Sequence, residues 1–320
     1  MIELVKGKAA AKIRISTEGH PIVTYLGEEK KDGAVYVEGV GSFSCSAPQG
    51  SGRLYNKIAI ITGSAQGFGK GIAEEMYANG AYTVIADLNY DMAKEVADSL
   101  GDRAFAVKVD VSNEESVAAM IEETALRLGG LDIFVNNAGV AKAGSLTEME
   151  LNTFDFVTRI NYNAYFLCTK YDSEIMKAQF EADNEYYGDI VQVNSKSGLA
   201  GSNKNFAYAG SKFGGVGLTQ SFALELVPYR IKVNAVCPGN YYEGPLWSDP
   251  EKGLFIQYLN AGKVPGAKTV EDVRESYVSK VPMRRGCSPK DVTRAIMYCV
   301  EQEYETGQAI PVTGGQIMLK

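Results

Sequence analysis

The stretch Lys57-Ile-Ala-Ile-Ile-Thr-Gly-Ser-Ala-Gln-Gly-Phe-Gly-Lys-Gly-Ile-Ala-Glu-Glu-Met76 decides the fold of this chain. Ile58 to Ile61 form a short run rich in β-branched residues, which predicts a buried strand. Ile72, Ala73 and Met76 share one face of the helix that is predicted to follow. The sequence therefore predicts a strand, a tight glycine turn and a helix in immediate succession.

Three glycines in this turn have separate roles. Gly63 lets the chain reverse, Gly67 lets the backbone approach a pyrophosphate without a Cβ in the way, and Gly69 lets the helix pack against the strand. The helix N-terminus offers free N–H groups to a phosphate. The next apolar strand, Tyr82 to Ala86, ends in Asp87, whose carboxylate suits a ribose 2′-hydroxyl. Without that context the glycines would equally fit an ordinary strand-to-helix loop.

Composition argues against several classes of protein. The net charge of −7 disfavours a nucleic-acid binder, because phosphate backbones require a basic surface. No run of about eighteen apolar residues and no signal-peptide pattern occurs, so we expect no membrane span. The cysteines are odd in number and lack a C-x-x-C pair, so we expect no disulfide framework, no zinc site and a reducing, cytoplasmic location; they are Cys45, Cys168, Cys237, Cys287 and Cys299.

His20 is the only histidine, and it lies beside Pro21 in a predicted turn. A Ser-His-Asp triad or a histidine-ligated metal would depend on that one loop residue. We therefore expect neither mechanism and no bound metal.

Residues 1–52 differ in character from the rest of the chain. Four strand-like pieces predict a small β-rich extension: Ala11 to Ser16, Ile22 to Leu26, Ala34 to Val37 and Ser42 to Cys45. Ala47 to Gly52 has the composition of a flexible linker. Because so short a unit buries too little surface to be stable alone, we expect it to dock on the main domain or on another subunit.

Residues 53–320 alternate strand and helix. The predicted elements are strand Lys57–Thr62, helix Gly67–Asn79, strand Tyr82–Asp87, helix Tyr90–Leu100, strand Ala104–Val109, helix Glu114–Leu128 and strand Ile133–Asn136. Such alternation implies right-handed crossovers and a parallel sheet with helices on both faces, which is a doubly wound α/β fold.

The second half of the chain continues this pattern. The predicted elements are a long helix Leu151–Gln179, strand Asp189–Asn194, helix Asn205–Leu226, strand Ile231–Val236, helix Pro289–Val300 and strand Ala309–Val312. Residues from about 240 to 285 read as irregular and partly helical, and we expect them to form a substrate lid. In open α/β sheets the ligand crevice lies at the carboxyl ends of the strands.

The spacing Tyr208-Ala-Gly-Ser-Lys212 is the most informative for chemistry. Residues four apart share a helical face, so both side chains would point to one place. The phenol has a free pKa of about 10, and a nearby ammonium favours the phenolate, which would make Tyr208 a proton acceptor or donor closer to neutral pH. In isolation, such a pair would more simply be unrelated polar residues on an exposed helix.

Other polar positions accompany this pair. Ser195 ends a strand, Asn136-Asn-Ala-Gly139 ends an earlier strand, and Asn161 lies in the long helix. With Thr62-Gly-Ser-Ala-Gln-Gly-Phe-Gly69 and Tyr208-x-x-x-Lys212, they resemble the motifs of the short-chain dehydrogenase/reductase family, in the family's order. The resemblance covers about residues 54–320 and implies a Rossmann fold.

The resemblance also implies roles for four catalytic residues. Tyr208 would be the general acid/base, and Lys212 would lower the pKa of Tyr208 and bind the nicotinamide ribose. Ser195 would orient the substrate, and Asn161 would hold a water in a proton relay. Because a loop at residues 182–188 is inserted between Asn161 and Ser195, their separation in the sequence is longer than the family's usual one.

A dinucleotide cofactor follows from the same resemblance. Asp87 would repel a 2′-phosphate but bind a free hydroxyl, and neither Ser64 nor Leu88 supplies a compensating cation, so NAD is favoured over NADP. Besides Tyr208 and Lys212, the implied cofactor-binding positions are Gly63, Ser64, Gln66, Gly67, Phe68, Gly69, Asp87, Leu88, Asp110, Val111, Asn137, Ala138, Gly139, Pro238 and Gly239. Asp110 would equally suit an exposed strand end.

A closer resemblance narrows the substrate. The segments that begin at Val193, Tyr208, Lys280 and Thr306 resemble family members that interconvert sorbitol 6-phosphate and fructose 6-phosphate. A phosphate needs cationic partners, and Lys196, Lys204, Lys280, Arg284 and Arg285 lie in or near the expected substrate loops. The predicted substrate contacts are Ser195, Lys196, Tyr208, Arg284 and Arg285.

The sequence leaves two alternative functions open. The chain would also fit a dehydrogenase of a free polyol or another secondary alcohol, because charged loop residues are usually only solvated. A non-catalytic NAD(H)-binding sensor is the alternative from another class of protein. The resemblance further implies a homotetramer or homodimer.

Overall fold

The computed structural model describes residues 2–260 and 262–318. The chain begins with helix α1 (Val5–Ser16), followed by strands β1 (Ile22–Gly27), β2 (Val35–Val37) and β3 (Gly41–Ser46). The three strands form an antiparallel sheet in the order β1-β3-β2.

The prediction of a strand at Ala11 to Ser16 is wrong, because this segment lies in helix α1. The residues buried by α1 recur at helical spacing; they are Gly7, Ala10, Ala11, Arg14 and Ile15. That period is visible only when the pattern is followed from Gly7, before the predicted strand begins.

The centre of the molecule is a parallel sheet of seven strands in the order β10-β9-β8-β7-β4-β5-β6. Its strands are β4 (Ile58–Thr62), β5 (Tyr82–Asp87), β6 (Ala104–Lys108), β7 (Ile133–Asn136), β8 (Gly188–Val193), β9 (Ile231–Pro238) and β10 (Ala309–Val312). The doubly wound fold is thereby confirmed, and each strand lies within two residues of its predicted bounds.

Helices cover both faces of this sheet. They are α2 (Gly67–Ala78), α3 (Tyr90–Leu100), α4 (Glu114–Leu128), α5 (Leu151–Thr158), α6 (Ala164–Ala182), α7 (Phe206–Leu226), α8 (Pro245–Ser248), α9 (Leu254–Asn260), α10 (Val270–Ser279) and α11 (Pro289–Glu301). Among the described helices, none combines the length and the hydropathy of a membrane-spanning segment.

Strand β4 shows how the sequence builds two cores. Ile58 and Ile60 point into a cluster that includes residues of α4 and α6. Ala59 and Ile61 point the other way, into a cluster with residues of α2, α3 and α11. Since successive strand residues face opposite sides, a continuous apolar run is what a strand covered on both faces requires.

The first crossover places the ligand crevice. Strand β4 pairs with β5 on one side and β7 on the other, so the strand order reverses there. Ligands of open α/β sheets bind at such a reversal, outside the carboxyl ends of the strands. The glycine turn after β4 and the polar end of β7 therefore lie at the edge of the crevice.

Helix α1 packs against α4 and α6 of the main sheet. Leu4, Ala11 and Ile15 belong to the same apolar cluster as Ile58 and Ile60 of β4. The extension therefore docks on the main domain, the first of the two arrangements expected from its length.

The predicted long helix from Leu151 is interrupted. Helix α5 passes into a single wider turn of π-helix at Arg159–Asn163 before α6 begins. Such turns occur mostly at functional sites. Asn161 lies in the middle of this one.

Residues from about 240 to 285 contain the three short helices α8, α9 and α10. Their apolar side chains form a separate cluster of Tyr242, Trp247, Phe255, Val273 and Val281. The segment therefore has its own small core.

Candidate active site

Tyr208 and Lys212 lie one turn apart on α7, as their spacing predicts. The Lys212 Nζ is 5.6 Å from the centroid of the Tyr208 ring. The same ammonium donates a hydrogen bond of 3.0 Å to the carbonyl oxygen of Val193, at the end of β8. Lys212 is only 4% exposed, so its charge is held between the helix and the sheet.

The pKa of Tyr208 departs from the sequence prediction that Lys212 would lower it. Burial raises the pKa of Tyr208. A hydrogen bond with the Ser195 side chain acts in the opposite direction, and the neighbouring Cys237 raises the pKa further. Burial also lowers the pKa of Lys212 to about 8. The net direction for Tyr208 is opposite to the predicted lowering, because loss of solvent around the phenolate outweighs the stabilising interactions.

Ser195 lies two residues after the end of β8, and its side chain is within hydrogen-bonding reach of Tyr208. It is buried, and its Oγ accepts a hydrogen bond of 3.1 Å from the N–H of Ser197. Its own N–H donates to the Oδ1 of Asn194 at 2.8 Å. The Asn194 amide in turn donates to the carbonyl oxygen of Lys212 at 2.9 Å, so one buried side chain joins the strand end to α7.

Asn161 is fixed to the chain that follows β7. Its Oδ1 accepts from the N–H of Val140 at 2.8 Å, and its Nδ2 donates to the carbonyl oxygen of Val140 at 2.9 Å. The Nδ2 also donates to the Oγ of Ser211 at 3.2 Å, and that hydroxyl donates to the carbonyl oxygen of Tyr208 at 2.7 Å. The structure thus links Asn161 to Tyr208 through one side chain.

The glycine turn after β4 has the geometry that its predicted roles require. Gly63 and Gly67 have φ angles of +65° and +62°, which favour glycine. A Cβ on Gly67 would meet no atom within 4 Å, so the space beside its backbone is open. A Cβ on Gly69 would lie 2.2 Å from the carbonyl oxygen of Gly63, so helix and turn are in direct contact there.

Thr62 and Asn137 tie the glycine turn to the end of β7. The Thr62 Oγ1 accepts hydrogen bonds from the N–H groups of Asn137 and Ala138 at 3.0 and 3.1 Å. The Asn137 Nδ2 donates to the carbonyl oxygens of Thr62 and Gly63 at 2.8 and 3.1 Å. Thr62 was not among the predicted site residues, although its position at the end of a strand before a glycine was a usable signal.

Gly139 lies between two catalytic candidates. A Cβ there would be 3.2 Å from the Asn161 Oδ1 and 3.8 Å from the Lys212 Nζ. The close approach of these two side chains to the backbone explains why a residue without a side chain occupies the position.

Asp87 ends β5 beside the glycine turn. Its Oδ2 accepts from the N–H of Ala65 at 3.0 Å, and its Oδ1 accepts from the N–H of Asn89 at 3.0 Å. Each oxygen keeps a further acceptor position for a ligand hydroxyl. Leu88 is exposed next to it, and no cation binds Asp87 among the described residues.

The remaining turn residues differ in what they present. Ser64 is fully buried and its hydroxyl donates to the carbonyl oxygen of Ile61 at 2.7 Å, so only its backbone can face a ligand. Gln66 is the exposed residue that precedes α2. Phe68 stacks on Tyr241, with ring centroids 4.9 Å apart, and so connects the turn to the start of the lid. Tyr241 was not among the predicted site residues.

Two other predicted positions follow strands. Asp110 accepts hydrogen bonds from the N–H and the hydroxyl of Ser112 at 2.9 and 2.7 Å, and Val111 is buried beside it. Pro238 ends β9, and the N–H of Gly239 donates to the carbonyl oxygen of Val312 at 2.9 Å. All of these lie at the carboxyl edge of the sheet.

The predicted cations lie in different surroundings. Lys196 directly follows Ser195, and its Nζ donates to the Oε1 of Gln316 at 3.2 Å. Arg285 binds both carboxyl oxygens of Asp291. Arg284 lines a cavity together with Glu243, Glu271 and Glu275. Arg274 and Arg285 line the same cavity, and Arg274 pairs with Glu243 and Glu271, so a phosphate there would compete with carboxylates for the arginines. Of the predicted cations, Lys196 is the one next to Ser195 in the sequence.

Lys263 was missed by the sequence analysis. It lies between α9 and α10, and its pKa is lowered by partial burial and by the charges of Lys204 and Lys280. Nothing in its local sequence indicates this proximity, because the lid brings it to the loop only through the tertiary fold.

Known proteins match the main domain. The short chain dehydrogenase family profile matches residues 57–248. The sorbitol-6-phosphate 2-dehydrogenase of Escherichia coli is 35% identical over 82% of this chain and 99% of its own. The galactitol 2-dehydrogenase of Agrobacterium fabrum is 31% identical over 83% of this chain and 99% of its own.

A solved structure agrees. The sorbitol-6-phosphate 2-dehydrogenase of Erwinia amylovora superposes with a TM-score of 0.75 and 37% identity, covering 82% of this chain and all of that one. The fold, the positions of the motifs and the sequence identity are all those of one family. The chain belongs to the short-chain dehydrogenase/reductase family of oxidoreductases.

Proposed function

We propose that this oxidoreductase is NAD-dependent and interconverts a sugar-alcohol phosphate and a ketose phosphate, specifically sorbitol 6-phosphate and fructose 6-phosphate. The observation that carries the proposal is the cluster of Ser195, Tyr208 and Lys212 at the carboxyl edge of the sheet. A merely nucleotide-binding protein needs the glycine turn but has no use for a buried phenol beside a serine and a lysine.

Tyr208 is the proton-transfer residue in this proposal. Because burial raises its pKa, the phenol is protonated at neutral pH, the state that gives a proton to a ketone oxygen. In the direction of alcohol oxidation the Tyr208 Oη takes the hydroxyl proton, and the nearby Lys212 ammonium stabilises the phenolate.

Ser195 and Asn161 support that transfer. The Ser195 hydroxyl accepts a hydrogen bond from Ser197, which leaves its own proton free to bind the substrate oxygen. The Asn161 side-chain amide forms hydrogen bonds with the backbone of Val140 and with the Ser211 hydroxyl, so it fixes the backbone around the site. The water-binding role that the resemblance implied for Asn161 stays a prediction.

The glycine turn and Asp87 fit a nicotinamide dinucleotide. The space beside Gly67 is open to a pyrophosphate, and the carboxylate of Asp87 is fixed by the N–H groups of Ala65 and Asn89. When bound, the nicotinamide accepts a hydride from the carbon that is oxidised. The preference for NAD rests on Asp87, since a carboxylate at this position repels a 2′-phosphate.

A cofactor measurement tests that preference. Asp87→Ala should raise the dissociation constant of NADH about 10- to 100-fold, because a hydrogen bond to a charged group contributes about 1.5–3 kcal/mol. The same change should improve the use of NADP relative to NAD. A wild-type protein that uses NADP as well as NAD would contradict the proposal.

The phosphorylated substrate is supported by the two sorbitol-6-phosphate 2-dehydrogenase relatives and by Lys196 beside Ser195. The decisive experiment compares kcat/KM of the wild type for sorbitol, sorbitol 6-phosphate and mannitol 1-phosphate with NAD. Sorbitol 6-phosphate should be preferred by several orders of magnitude. Tyr208→Phe should abolish most turnover while leaving NADH binding in place, and full activity of that variant would refute the assigned chemistry.

A free polyol is the second candidate substrate. It is favoured by the relative named galactitol 2-dehydrogenase, since galactitol carries no phosphate. Equal efficiency on sorbitol and sorbitol 6-phosphate would support this candidate. A homotetramer or homodimer stays a prediction, which light scattering coupled to size-exclusion chromatography would test.

A further inference from the structure

Four lysines lie on two segments that flank the catalytic candidates in the sequence and on the segment of residues 240–285. Lys196 directly follows Ser195, and Lys204 lies in the loop that leads to Tyr208 on α7. Lys263 and Lys280 come from the lid, before and after α10. We call these four residues the lysine cluster.

The charges of the lysine cluster influence one another although its members are distant in sequence. Burial and the charge of Lys280 lower the pKa of Lys196. Partial burial and the charges of Lys204 and Lys280 lower the pKa of Lys263. The geometry agrees for Lys196 and Lys280: Gln316, whose Oε1 accepts from the Lys196 Nζ, lines one cavity together with Val281, the residue that follows Lys280.

The lysine cluster is not neutralised by the protein. Within residues 2–260 and 262–318, none of its members forms a salt bridge, although the chain carries 39 acidic residues against 32 lysines and arginines. Unpaired like charges in close proximity destabilise the lid unless something else compensates for them. An anion bound between the lysines would attract each ammonium and so offset their mutual repulsion.

Aromatic rings position the two lid lysines. The Lys263 Nζ lies 3.7 Å from the centroid of the Tyr258 ring, and the Lys280 Nζ lies 4.8 Å from that of Tyr277. The two rings stack on each other, with centroids 5.4 Å apart and an interplanar angle of 22°. A ring face attracts an ammonium without using its N–H donors, so these remain free to bind a ligand.

The arginines nearby do not offer such a site. Arg285 already binds Asp291 through two nitrogens, and Arg284 shares its cavity with three glutamates. A phosphate placed there would meet carboxylates. Glu148 lies near Lys204, but no member of the lysine cluster forms an ion pair in the part of the chain that the structure describes.

We propose that the lysine cluster binds the phosphoryl group of the substrate and that the phosphate draws the lid onto the main domain. The inference rests on the proposed function and adds to it where the phosphate is held. Lys196, next to Ser195, contacts the phosphate from the main domain, while Lys263 and Lys280 contact it from the lid. Each ammonium supplies charge and hydrogen-bond donors to the phosphoryl oxygens.

The first experiment measures substrate discrimination in three variants. Lys263→Met and Lys280→Met should each lower kcat/KM for sorbitol 6-phosphate about 10- to 100-fold, mainly through KM, since each removes a hydrogen bond to a charged group. Lys268→Met is the matched control, because Lys268 is an exposed lysine of the same lid outside the lysine cluster. If all three variants retain the wild-type KM, the lysine cluster does not hold the phosphate.

The second experiment uses inorganic phosphate and does not depend on turnover. Phosphate at millimolar concentration should raise the Tm of the wild type and of Lys268→Met, but not that of the double variant Lys263→Met/Lys280→Met. Equal Tm values of the three proteins without phosphate, at matched ionic strength, show that all are folded. Absence of any shift in the wild type, or an equal shift in all three proteins, overturns the proposal.

The two experiments separate the two hypotheses. If the wild type turns over sorbitol as efficiently as sorbitol 6-phosphate, the proposed function fails. The phosphate-dependent Tm then decides by itself whether the lysine cluster is an anion site. If the wild type prefers sorbitol 6-phosphate and the lysine variants keep that preference, the function stands and the location of the phosphate is wrong.

Discussion

Replacing Arg14 with methionine would test how firmly the N-terminal helix belongs to the catalytic domain. The Arg14 guanidinium donates hydrogen bonds to both carboxyl oxygens of Asp132 at 3.1 and 3.0 Å and to the carbonyl oxygen of Asn56 at 2.7 Å. Both side chains of the ion pair are only 2% exposed. Asp132 also accepts from the N–H of Ile58 at 2.8 Å, at the start of β4.

The expected loss is large because Arg14→Met leaves Asp132 buried without its partner. Breaking a buried ion pair from one side costs about 3–5 kcal/mol. Methionine fills much of the volume of the arginine side chain, so the loss is mainly electrostatic. With a urea dependence of about 3 kcal/mol per molar, the midpoint of unfolding should fall by about 1–2 M.

The pH dependence of this loss has a defined sign. Burial alone would raise the pKa of Asp132, but the charges of Arg14 and Lys57 outweigh it and hold the pKa below its ordinary value of 3.8. The stability that this lowered pKa contributes is present above pH 3.8 and is lost as pH falls through the folded-state pKa. In Arg14→Met, burial should instead raise the pKa of Asp132, so protonation relieves the penalty and the difference from wild type should narrow from pH 8 to pH 5.

Urea unfolding followed by circular dichroism at pH 8 and pH 5 measures both effects. Lys8→Met is the control, since Lys8 pairs with Glu174 and also joins α1 to α6 but is about a third exposed. An exposed pair contributes less than about 1 kcal/mol. The reasoning fails if Arg14→Met loses no more stability than the control, or if its loss is the same at both pH values.

Three further predictions concern the core and the cofactor site. Gly69→Ala would place a Cβ 2.2 Å from a backbone carbonyl oxygen, so it should distort the turn and lower both Tm and NADH affinity. Gly67→Ala meets no protein atom within 4 Å, but its Cβ enters the space proposed for the pyrophosphate, so it should weaken NADH binding while costing only about 1–2 kcal/mol of stability through its positive φ. Fluorescence titration and thermal unfolding measure the two effects separately. Burial raises the pKa of Asp172 well above its ordinary value of 3.8, so its cost to stability grows as pH rises above 3.8 towards the folded-state pKa. Asp172→Asn should therefore gain more Tm relative to wild type at pH 8 than at pH 5. Tyr241→Leu removes a ring stacked on Phe68 and should raise the dissociation constant of NADH up to about tenfold, with Tyr241→Phe close to wild type.

The main domain could be predicted closely because its signals are local. Five of the seven parallel strands (β4, β5, β7, β8 and β9) are buried on both faces, and helices such as α3 and α11 have a clear apolar stripe, so the two patterns differ within a short window. The spacing of Tyr208 and Lys212 also suffices to place them on one helical face, since four residues make about one turn. Asp87 at the end of its strand is another local feature with a definite position.

Helix α1 shows where local reasoning was misleading. The segment from Ala11 was predicted as a strand, but α4 and α6 provide an apolar groove that only a helical stripe can fill. Arg14 illustrates the same limit, because an arginine in an extension gives no sign that it will be buried against Asp132, more than a hundred positions away in the sequence.

The chain by itself determined the doubly wound sheet, the glycine turn and the residues at the strand ends, since these depend on patterns and spacings within one element. The tertiary structure alone decided the acidity of Tyr208, because desolvation depends on everything packed around the phenol. It also decided the surroundings of the cations: Arg285 is bound to Asp291, whereas Lys263 and Lys280 lie against the stacked rings of Tyr258 and Tyr277. Charge at long range depends on distances that only the folded chain defines.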